Sequence, residues 1–203
     1  MRPLLSWRAL AVVLALIIGG LLLWPRKTPA GSAPLPLCEK PWGTYQQLLQ
    51  EARRQKDSVF RADARSPIPA EARGSFAGLR YFPPDSQWRL RGRYEPLPNA
   101  LAPVVGALWL NLPTLPTCQS PARLLVYGEK NGQLYIAFWD STAVQGLTYE
   151  GGRYVPIELR SDSACIDFNR AYFPYCAYNP AYICLPYPPE NRFCLSIPAG
   201  ERW

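Results

Sequence analysis

Residues 124–139 read LLVYGEKNGQLYIAFW, two apolar runs separated by a short polar segment. The runs at 124–127 and 134–139 are rich in aliphatic and aromatic residues, which is the usual composition of β-strands. Between them, Asn131 and Gly132 form a dipeptide that accepts the positive φ angles of a tight turn, the strongest short-range signal for a β-hairpin. This stretch therefore predicts two adjacent antiparallel strands and a fold built on β-structure.

Further strand patterns lie on both sides of this hairpin. Residues 88–94 alternate in polarity, and residues 104–112 form an apolar run long enough for a buried strand. Residues 146–149 and 153–157 flank Glu150-Gly151-Gly152 and predict a second hairpin. Several short strands joined by tight turns favour an antiparallel β-sandwich or a partly open barrel. We expect a mainly β domain over residues 44–203.

One α-helix is expected at the amino-terminal end of this domain. Residues 44–64 are free of proline and glycine and have helical character, with Thr44 as the predicted N-cap and the prolines within 66–69 as the stop. The apolar positions near one face of this helix are Leu48, Leu49, Ala52, Val59 and Phe60. Residues 28–43, which are rich in Pro, Gly, Ala and Ser, are interpreted as a tether.

The chain begins with a membrane-type signal. Residues 9–24 read ALAVVLALIIGGLLLW, sixteen residues without a charge, and basic residues stand on both sides. A spanning helix needs about 20 residues, a length that residues 4–24 reach if Arg8 snorkels. The segment that follows is a poor cleavage site. We therefore predict a single transmembrane anchor over residues 1–27 that contacts the lipid bilayer through 4–24, with a cleaved signal peptide as the alternative.

The cysteines indicate where the domain lies. All six stand beyond the predicted anchor, at Cys38, Cys118, Cys165, Cys176, Cys184 and Cys194. An even number of cysteines after an export-type segment is typical of disulfides in an oxidising compartment. Their spacings do not match the short pairs of zinc sites, so we expect no metal, with zinc binding and free thiols as alternatives. The predicted location is the cytoplasmic membrane, with the carboxyl-terminal domain on the extracytoplasmic side; the pairing stays open.

Charge and composition exclude several classes of protein. The net charge is +7, but residues 1–30 carry four of those charges, and the rest has 18 basic and 15 acidic residues, so we expect no nucleic-acid partner. Arg89, Arg91 and Arg93 alternate, which favours a solvated sheet face over a phosphate site. The chain has no histidine, which excludes histidine-based catalysis and histidine metal ligands. No phosphate-loop or dinucleotide fingerprint is present, so we expect no cofactor.

The carboxyl-terminal part carries a distinctive set of motifs. It reads DFNRAY at 167–172, CAYNP at 176–180, PPENR at 188–192 and AGE at 199–201. Together with residues 140–154, these motifs closely resemble the bacterial family called domain of unknown function 1684, over about residues 45–202. Phe173 and Tyr175 stand where that family usually has Asn and Pro, and Leu185 and Cys194 also depart from its pattern. The resemblance implies continuity of fold, but it implies no particular activity.

The polar residues of these motifs are the candidate ligand-binding residues: Asp140, Arg153, Asp167, Asn169, Arg170, Tyr172, Asn179, Glu190, Asn191 and Arg192. A structural interpretation is that arginine and asparagine side chains satisfy the carbonyl groups of a proline-rich loop. A functional interpretation is that the arginines bind a carboxylate or phosphate group. A catalytic one makes Asp167 or Glu190 a general base, with Arg170 stabilising an anion.

The sequence therefore leaves two hypotheses about the function of the protein. The first is a membrane-anchored extracytoplasmic module without catalytic activity, which serves as an accessory or interaction subunit of an envelope complex and has a membrane protein as its partner. The alternative is a binder of a small anionic ligand, or a hydrolase-like enzyme, that uses the Arg, Asp and Glu residues of the motifs. Burial of these side chains in mutual hydrogen bonds favours the structural interpretation, and their convergence in a deep, solvent-facing pocket favours the ligand-binding or enzymatic alternative.

Overall fold

Six antiparallel strands close into a barrel in the computed structural model, which describes residues 37–112 and 123–203. The strands of the described residues are β1 (Arg80–Tyr81), β2 (Arg89–Pro96), β3 (Val104–Leu110), β4 (Arg123–Gly128), β5 (Leu134–Phe138), β6 (Arg153–Arg160), β7 (Ser163–Asp167) and β8 (Glu201–Arg202). Strands β2 to β7 follow one another around the barrel, and β7 returns to pair with β2. Strands β1 and β8 form a separate two-stranded sheet.

The mainly β fold with one helix is confirmed, and the expected partly open barrel is corrected to a closed one. Closure depends on β2, which pairs with β7 over residues 89–93 and with β3 over residues 92–96, so that Gly92 lies opposite both Leu110 of β3 and Ala164 of β7. Inward-facing apolar side chains of the strands fill the interior together with residues from the segments after β7. This core includes Leu108, Leu124, Val126, Ile136, Phe138, Val155, Ile166, Phe168, Phe193 and Ile197.

The first predicted hairpin is confirmed, and the second is wrong. Strands β4 and β5 pair beside the turn, with Tyr127 opposite Tyr135, and Gly132 adopts a positive φ of 85°. Residues 146–149 form a turn and bends rather than a strand, and the Leu147 N–H donates locally to the carbonyl of Thr142 at 3.0 Å. Strand β6 instead pairs with β5 and β7.

The predicted helix exists and begins two residues earlier than expected. Helix α1 covers Trp42–Ala62, with Pro41 rather than Thr44 at the N-cap. The earlier start brings the ring of Trp42 into a stacked contact with that of Tyr45, with 5.2 Å between centroids. The helix buries Tyr45, Leu49 and Phe60. Of the five residues predicted on the apolar face, Leu49 and Phe60 are buried, whereas Leu48, Ala52 and Val59 are exposed.

The amino-terminal predictions fall mostly on residues that are not described. The predicted anchor (1–27) and residues 28–36 of the predicted tether lie outside the described residues. Among the described helices, none combines the length and apolar character that a bilayer crossing requires. The last part of the predicted tether, however, belongs to the folded domain: Leu37–Glu39 form a 3₁₀ turn, and α1 follows at Trp42.

Disulfide-type pairs join the cysteines in two places. Cys38 pairs with Cys165 of β7, with 5.9 Å between their Cα atoms, so the segment before α1 is tied to the barrel. Cys176 pairs with Cys184, which closes a short loop in the carboxyl-terminal segment, with 6.0 Å between Cα atoms. Cys194 is also disulfide-bonded, and Cys118 lies outside the described residues. This pairing is consistent with the oxidised framework that the sequence predicts.

Candidate functional site

The carboxyl-terminal motif PPENR completes the barrel wall between β4 and β5. These strands pair directly only beside their turn, at Tyr127 with Tyr135 and Gly128 with Leu134. Farther along, the fully buried side chain of Asn191 lies between them. Its Oδ1 accepts from the Leu125 N–H at 2.7 Å, and its Nδ2 donates to the carbonyls of Leu125 and Ala137 at 2.9 and 2.8 Å. One amide therefore replaces the missing strand-to-strand hydrogen bonds.

Backbone hydrogen bonds around Asn191 further connect the motif to the end of β5. The Trp139 N–H donates to the carbonyl of Asn191 at 3.2 Å, and the Phe193 N–H donates to the carbonyl of Trp139 at 2.7 Å. These bonds place the ring of Phe193 in the barrel core, against Phe138 and Phe168. The segment 189–193 is thus part of the barrel wall.

A buried ion pair holds the chain end that follows. Arg153 and Asp140 are both about 1% exposed, and Arg153 Nη2 lies 2.8 Å from Asp140 Oδ1. The guanidinium also donates to the carbonyls of Ile197 and Ala199. Asp140 Oδ2 in turn accepts from the Ile197 N–H at 2.7 Å and from the Thr142 hydroxyl at 2.8 Å.

The environment of this pair makes it a clamp rather than a binding site. Burial lowers the pKa of Arg153, and the adjacent negative charge of Asp140 opposes that shift. Guanidinium groups stay protonated in proteins, so the pair remains ionic in a dry interior. A buried pair of this kind is destabilised strongly when one partner is removed. Both charges are directed at the segment 197–201 and at each other.

Asp167 and Asn169 form a second clamp at the end of β7. Asn169 is buried; its Oδ1 accepts from the Asp85 N–H at 2.8 Å, and its Nδ2 donates to the Asp85 carbonyl at 2.8 Å. Asp167 Oδ1 accepts from the backbone N–H and the Nδ2 of Asn169, at 3.1 and 3.0 Å. The two side chains therefore hold the segment before β2 against the end of β7.

Replacing Asp167 with asparagine is expected to change how stability depends on pH. Burial raises the pKa of Asp167 above its ordinary value of 3.8, so the native state binds its proton more tightly than the unfolded chain does. The free energy of unfolding of the wild-type chain, relative to that of Asp167→Asn, therefore falls as the pH rises from 3.8 through the raised native-state pKa. Above the raised pKa, the difference between the two chains is constant. Urea unfolding midpoints of both chains between pH 3 and 8 measure the difference; a difference that does not vary with pH would contradict it.

The remaining predicted residues separate into two groups. Asn179 caps its own turn by accepting from the Ala181 N–H at 3.0 Å, while Glu190 and Arg192 are exposed, with the Arg192 guanidinium 4.4 Å from the ring centroid of Trp139. Arg170 and Tyr172, by contrast, line a cavity of about 250 Å³ beside α1. The ten predicted residues are therefore not brought together at one site.

The cavity beside α1 contains polar residues that are not among the ten predicted from the sequence. They are Arg53 and Lys56 on α1, Tyr81 on β1 and Glu201 on β8. The buried carboxylate of Glu201 is 2.5 Å from Lys56 Nζ and accepts from the Phe173 N–H at 2.7 Å. The spacing of Arg53 and Lys56, three residues apart on a predicted helix, was the available signal that the two side chains share a face.

The glycine of the AGE motif allows Glu201 to reach this position. Gly200 has a positive φ of 78°, and a Cβ atom there would collide with the carbonyl oxygen of Ala171. The backbone can therefore turn closely past Ala171, whose carbonyl accepts from the Glu201 N–H at 2.9 Å. The motif is explained by this close approach together with the buried carboxylate.

Fold and site together define a small, closed β-barrel domain whose carboxyl-terminal segment is held in the wall by buried amide and ionic side chains. The chain belongs to the family described as "Protein of unknown function (DUF1684)", which matches residues 74–202. This confirms the predicted family; its bacterial character stays a prediction.

Among solved structures, the chain is similar to the solution NMR structure of the uncharacterized protein from gene locus rrnAC0354 of Haloarcula marismortui. The two are 30% identical in sequence, and the similarity covers 79% of this chain and 95% of that one, with a TM-score of 0.62. No curated protein matches the chain. The similarity supports the fold and leaves the activity to be argued from the residues.

Proposed function

We propose that the protein is a membrane-anchored extracytoplasmic module without catalytic activity, which binds an envelope membrane protein as an accessory subunit. The observation that carries the proposal is a stapled, uncharged loop that exposes apolar side chains. The Cys176–Cys184 pair closes this loop, and Ile183, next to Cys184, is fully exposed. Leu185 is 46% exposed beside it. Residues 173–189 contain no charged residue, so the partner surface that fits them is uncharged and apolar.

The loop is fixed before any partner arrives. The Tyr154 hydroxyl donates to the carbonyl of Leu185 at 2.6 Å, and the rings of Tyr175 and Tyr182 pack edge to face with centroids 5.4 Å apart. A surface that is already ordered loses little conformational entropy on binding, which favours affinity. Tyrosine is also enriched at protein interfaces. These features support an interaction surface, which we name the stapled loop (residues 175–185).

The burial of the motif side chains supports a role without catalysis. Asp140, Arg153, Asn169 and Asn191 are buried and bonded to the chain itself, and the carboxylate of Asp167 accepts two hydrogen bonds from Asn169. A general base needs access to a substrate proton, and a buried carboxylate held in this way lacks it. The hydrolase alternative therefore loses Asp167, and the exposed Glu190 lies outside both clamps.

Membrane attachment rests on the sequence. The uncharged stretch 9–24 with its basic flanks is long enough, with residues 4–8, to anchor the chain in the lipid bilayer. The paired cysteines fit a domain on the oxidising, extracytoplasmic side of the cytoplasmic membrane. A single-pass anchor would keep the domain close to the outer surface of this membrane. Another membrane protein is therefore the partner that we propose.

Quantitative affinity purification of the full-length chain from detergent-solubilised membranes tests the proposal. We expect one protein to be recovered with the wild-type chain at a near-stoichiometric ratio. Replacing Ile183 with glutamate buries a charge in the interface and is expected to lower that ratio at least about tenfold. The readout is the ratio of partner to bait by mass spectrometry.

The matched control is Val144→Glu, which places the same charge at another apolar position, 75% exposed, in the segment between β5 and β6. We expect this variant to retain the partner at the wild-type ratio. Recovery of the wild-type chain alone would refute the accessory role. Equal recovery of the partner by Ile183→Glu and wild type would show that the stapled loop is not the contact surface.

A further inference from the structure

The cavity beside α1 combines apolar walls with a concentration of charge. It lies between α1, the β1–β8 sheet and the segment that follows β7, and its volume is about 250 Å³. Leu49 and Ala52 from the helix and Pro156 from β6 supply apolar wall, together with the rings of Tyr81 and Tyr172. A small pocket with mainly apolar walls and a few polar groups is the usual form of a small-molecule site.

The charges that line the cavity are not balanced. Lys56 is paired with Glu201 at 2.5 Å, and Arg170 is paired with Glu158 at 2.6 Å. Arg53 has no carboxylate within ion-pair distance among residues 37–112 and 123–203. Its Nη1 and Nη2 donate only to the carbonyls of Phe82 and Asn169, at 3.4 and 3.3 Å. The Arg53 guanidinium therefore has no direct ion-pair partner in the described part of the chain, although the nearby Glu201 and Asp167 carboxylates favour its charged form.

Unsatisfied polar atoms occur on the same side of the cavity. The Arg53 Nε and the Tyr81 hydroxyl are buried and have no hydrogen-bond partner in the described part of the chain. The two side chains are in contact, with the Arg53 guanidinium 4.2 Å from the centroid of the Tyr81 ring. Burial lowers the pKa of Arg53, as expected for a cation removed from water, and the group stays charged at neutral pH. The Nε and the hydroxyl are shielded from the cavity, so the guanidinium can contact a ligand only through Nη1 and Nη2, which retain further N–H donors.

We propose that this cavity binds a small organic carboxylate with a compact apolar body, and that Arg53 is its counter-ion. One guanidinium without a direct ion-pair partner matches one negative charge, and a carboxylate can accept from the remaining N–H groups of Arg53 Nη1 and Nη2. The apolar walls accommodate the body of the ligand, whereas a phosphate dianion would leave a second charge unpaired against them. The site is separate from the stapled loop, so the inference stands independently of the accessory role.

Binding of phenylacetate to the full-length chain in detergent micelles tests the inference, with phenylacetamide as the uncharged analogue of the same shape. For a ligand of this size we expect a dissociation constant on the order of 1 mM for phenylacetate. The amide is expected to bind at least about 10-fold more weakly, because it lacks the charge that pairs with the guanidinium. NMR titration of the protein, with empty micelles as the reference, gives both constants.

Two arginine variants separate the cavity from general charge effects. Arg53→Gln removes the proposed counter-ion, and we expect it to weaken phenylacetate binding at least about 10-fold. Arg54→Gln removes the same charge from the next position of α1, where the side chain is 62% exposed and pairs with Glu51. The Arg54 variant is expected to bind within about twofold of wild type, since an exposed surface charge contributes little.

A third variant keeps the test decisive if Arg53→Gln fails to fold. Ala52→Phe leaves every charge in place. Ala52 lines the cavity at an exposed position of α1, so a phenylalanine there is expected to occupy the cavity and abolish phenylacetate binding. The inference would be overturned by equal affinities for phenylacetate and phenylacetamide, or by unchanged affinity in Arg53→Gln or Ala52→Phe. It would also be overturned if phenylacetate causes no saturable shift up to about 20 mM, well above the expected constant.

Discussion

Replacing Arg153 with methionine is expected to lower the free energy of unfolding by about 3–5 kcal/mol. The substitution keeps much of the side-chain volume but removes the positive charge. Asp140 is then left as a buried carboxylate without its counter-ion, and the carbonyls of Ile197 and Ala199 lose their donor. Small domains are stable by only about 5–15 kcal/mol, so this variant should be close to the limit of folding.

Urea unfolding followed by tryptophan fluorescence measures this loss. The control is Arg192→Met, an exposed arginine of the same motif region that contacts the ring of Trp139. We expect its unfolding free energy to stay within about 1 kcal/mol of the wild-type value, the range of an exposed cation–π contact. An Arg153→Met chain as stable as Arg192→Met would show that the buried pair does not hold the chain end.

Replacing Asn191 with aspartate is expected to lower the free energy of unfolding by about 3 kcal/mol or more. The two side chains have the same shape, so no cavity forms. The aspartate, however, places an acceptor oxygen against the carbonyls of Leu125 and Ala137, where the asparagine Nδ2 donates to both. A buried carboxyl group in this gap is either charged and unpaired or protonated with one donor for two acceptors.

Asn179→Asp is the matched control for this second substitution. Asn179 lies in the same segment, is partly exposed, and uses only its Oδ1, which an aspartate retains. We expect Asn179→Asp to change the urea midpoint little, because its amide nitrogen makes no hydrogen bond that the structure describes. If both aspartate variants unfold at the wild-type midpoint, the Asn191 amide does not hold β4 and β5 together.

The main features of the fold could be predicted where the signal is local. The hairpin at 124–139 carries its turn and both its strands within sixteen residues, so the pattern alone identified it. The segment 146–149 looked like a strand for the same local reason, yet Thr142 and Thr148 join their hydroxyls at 2.8 Å and stabilise turns instead. Closure of the barrel also depends on pairing between β2 and β7, which lie far apart in the sequence.

The candidate site was less predictable because its partners are distant along the chain. Lys56 and Glu201 are 145 residues apart and meet only after α1 packs beside β8. The predicted residues stand close together in the carboxyl-terminal motifs, but the structure places them at separate points. Asp140 and Arg153 clamp the chain end, and Asn191 joins two strands, at separate places. Only the three-dimensional structure distinguishes the side chains that hold the chain in place from those, such as Arg170, that line a cavity.

Residue-resolved hydrogen exchange of the wild-type chain tests most directly whether the carboxyl-terminal motifs are part of the barrel. The decisive amides are those of Leu125, Ile197 and Phe173, which donate to the side chains of Asn191, Asp140 and Glu201. We predict protection equal to that of the central amides of β2 and β6, with exchange only through global unfolding. Exchange at the rate of exposed loop amides, while β2 and β6 stay protected, would contradict this.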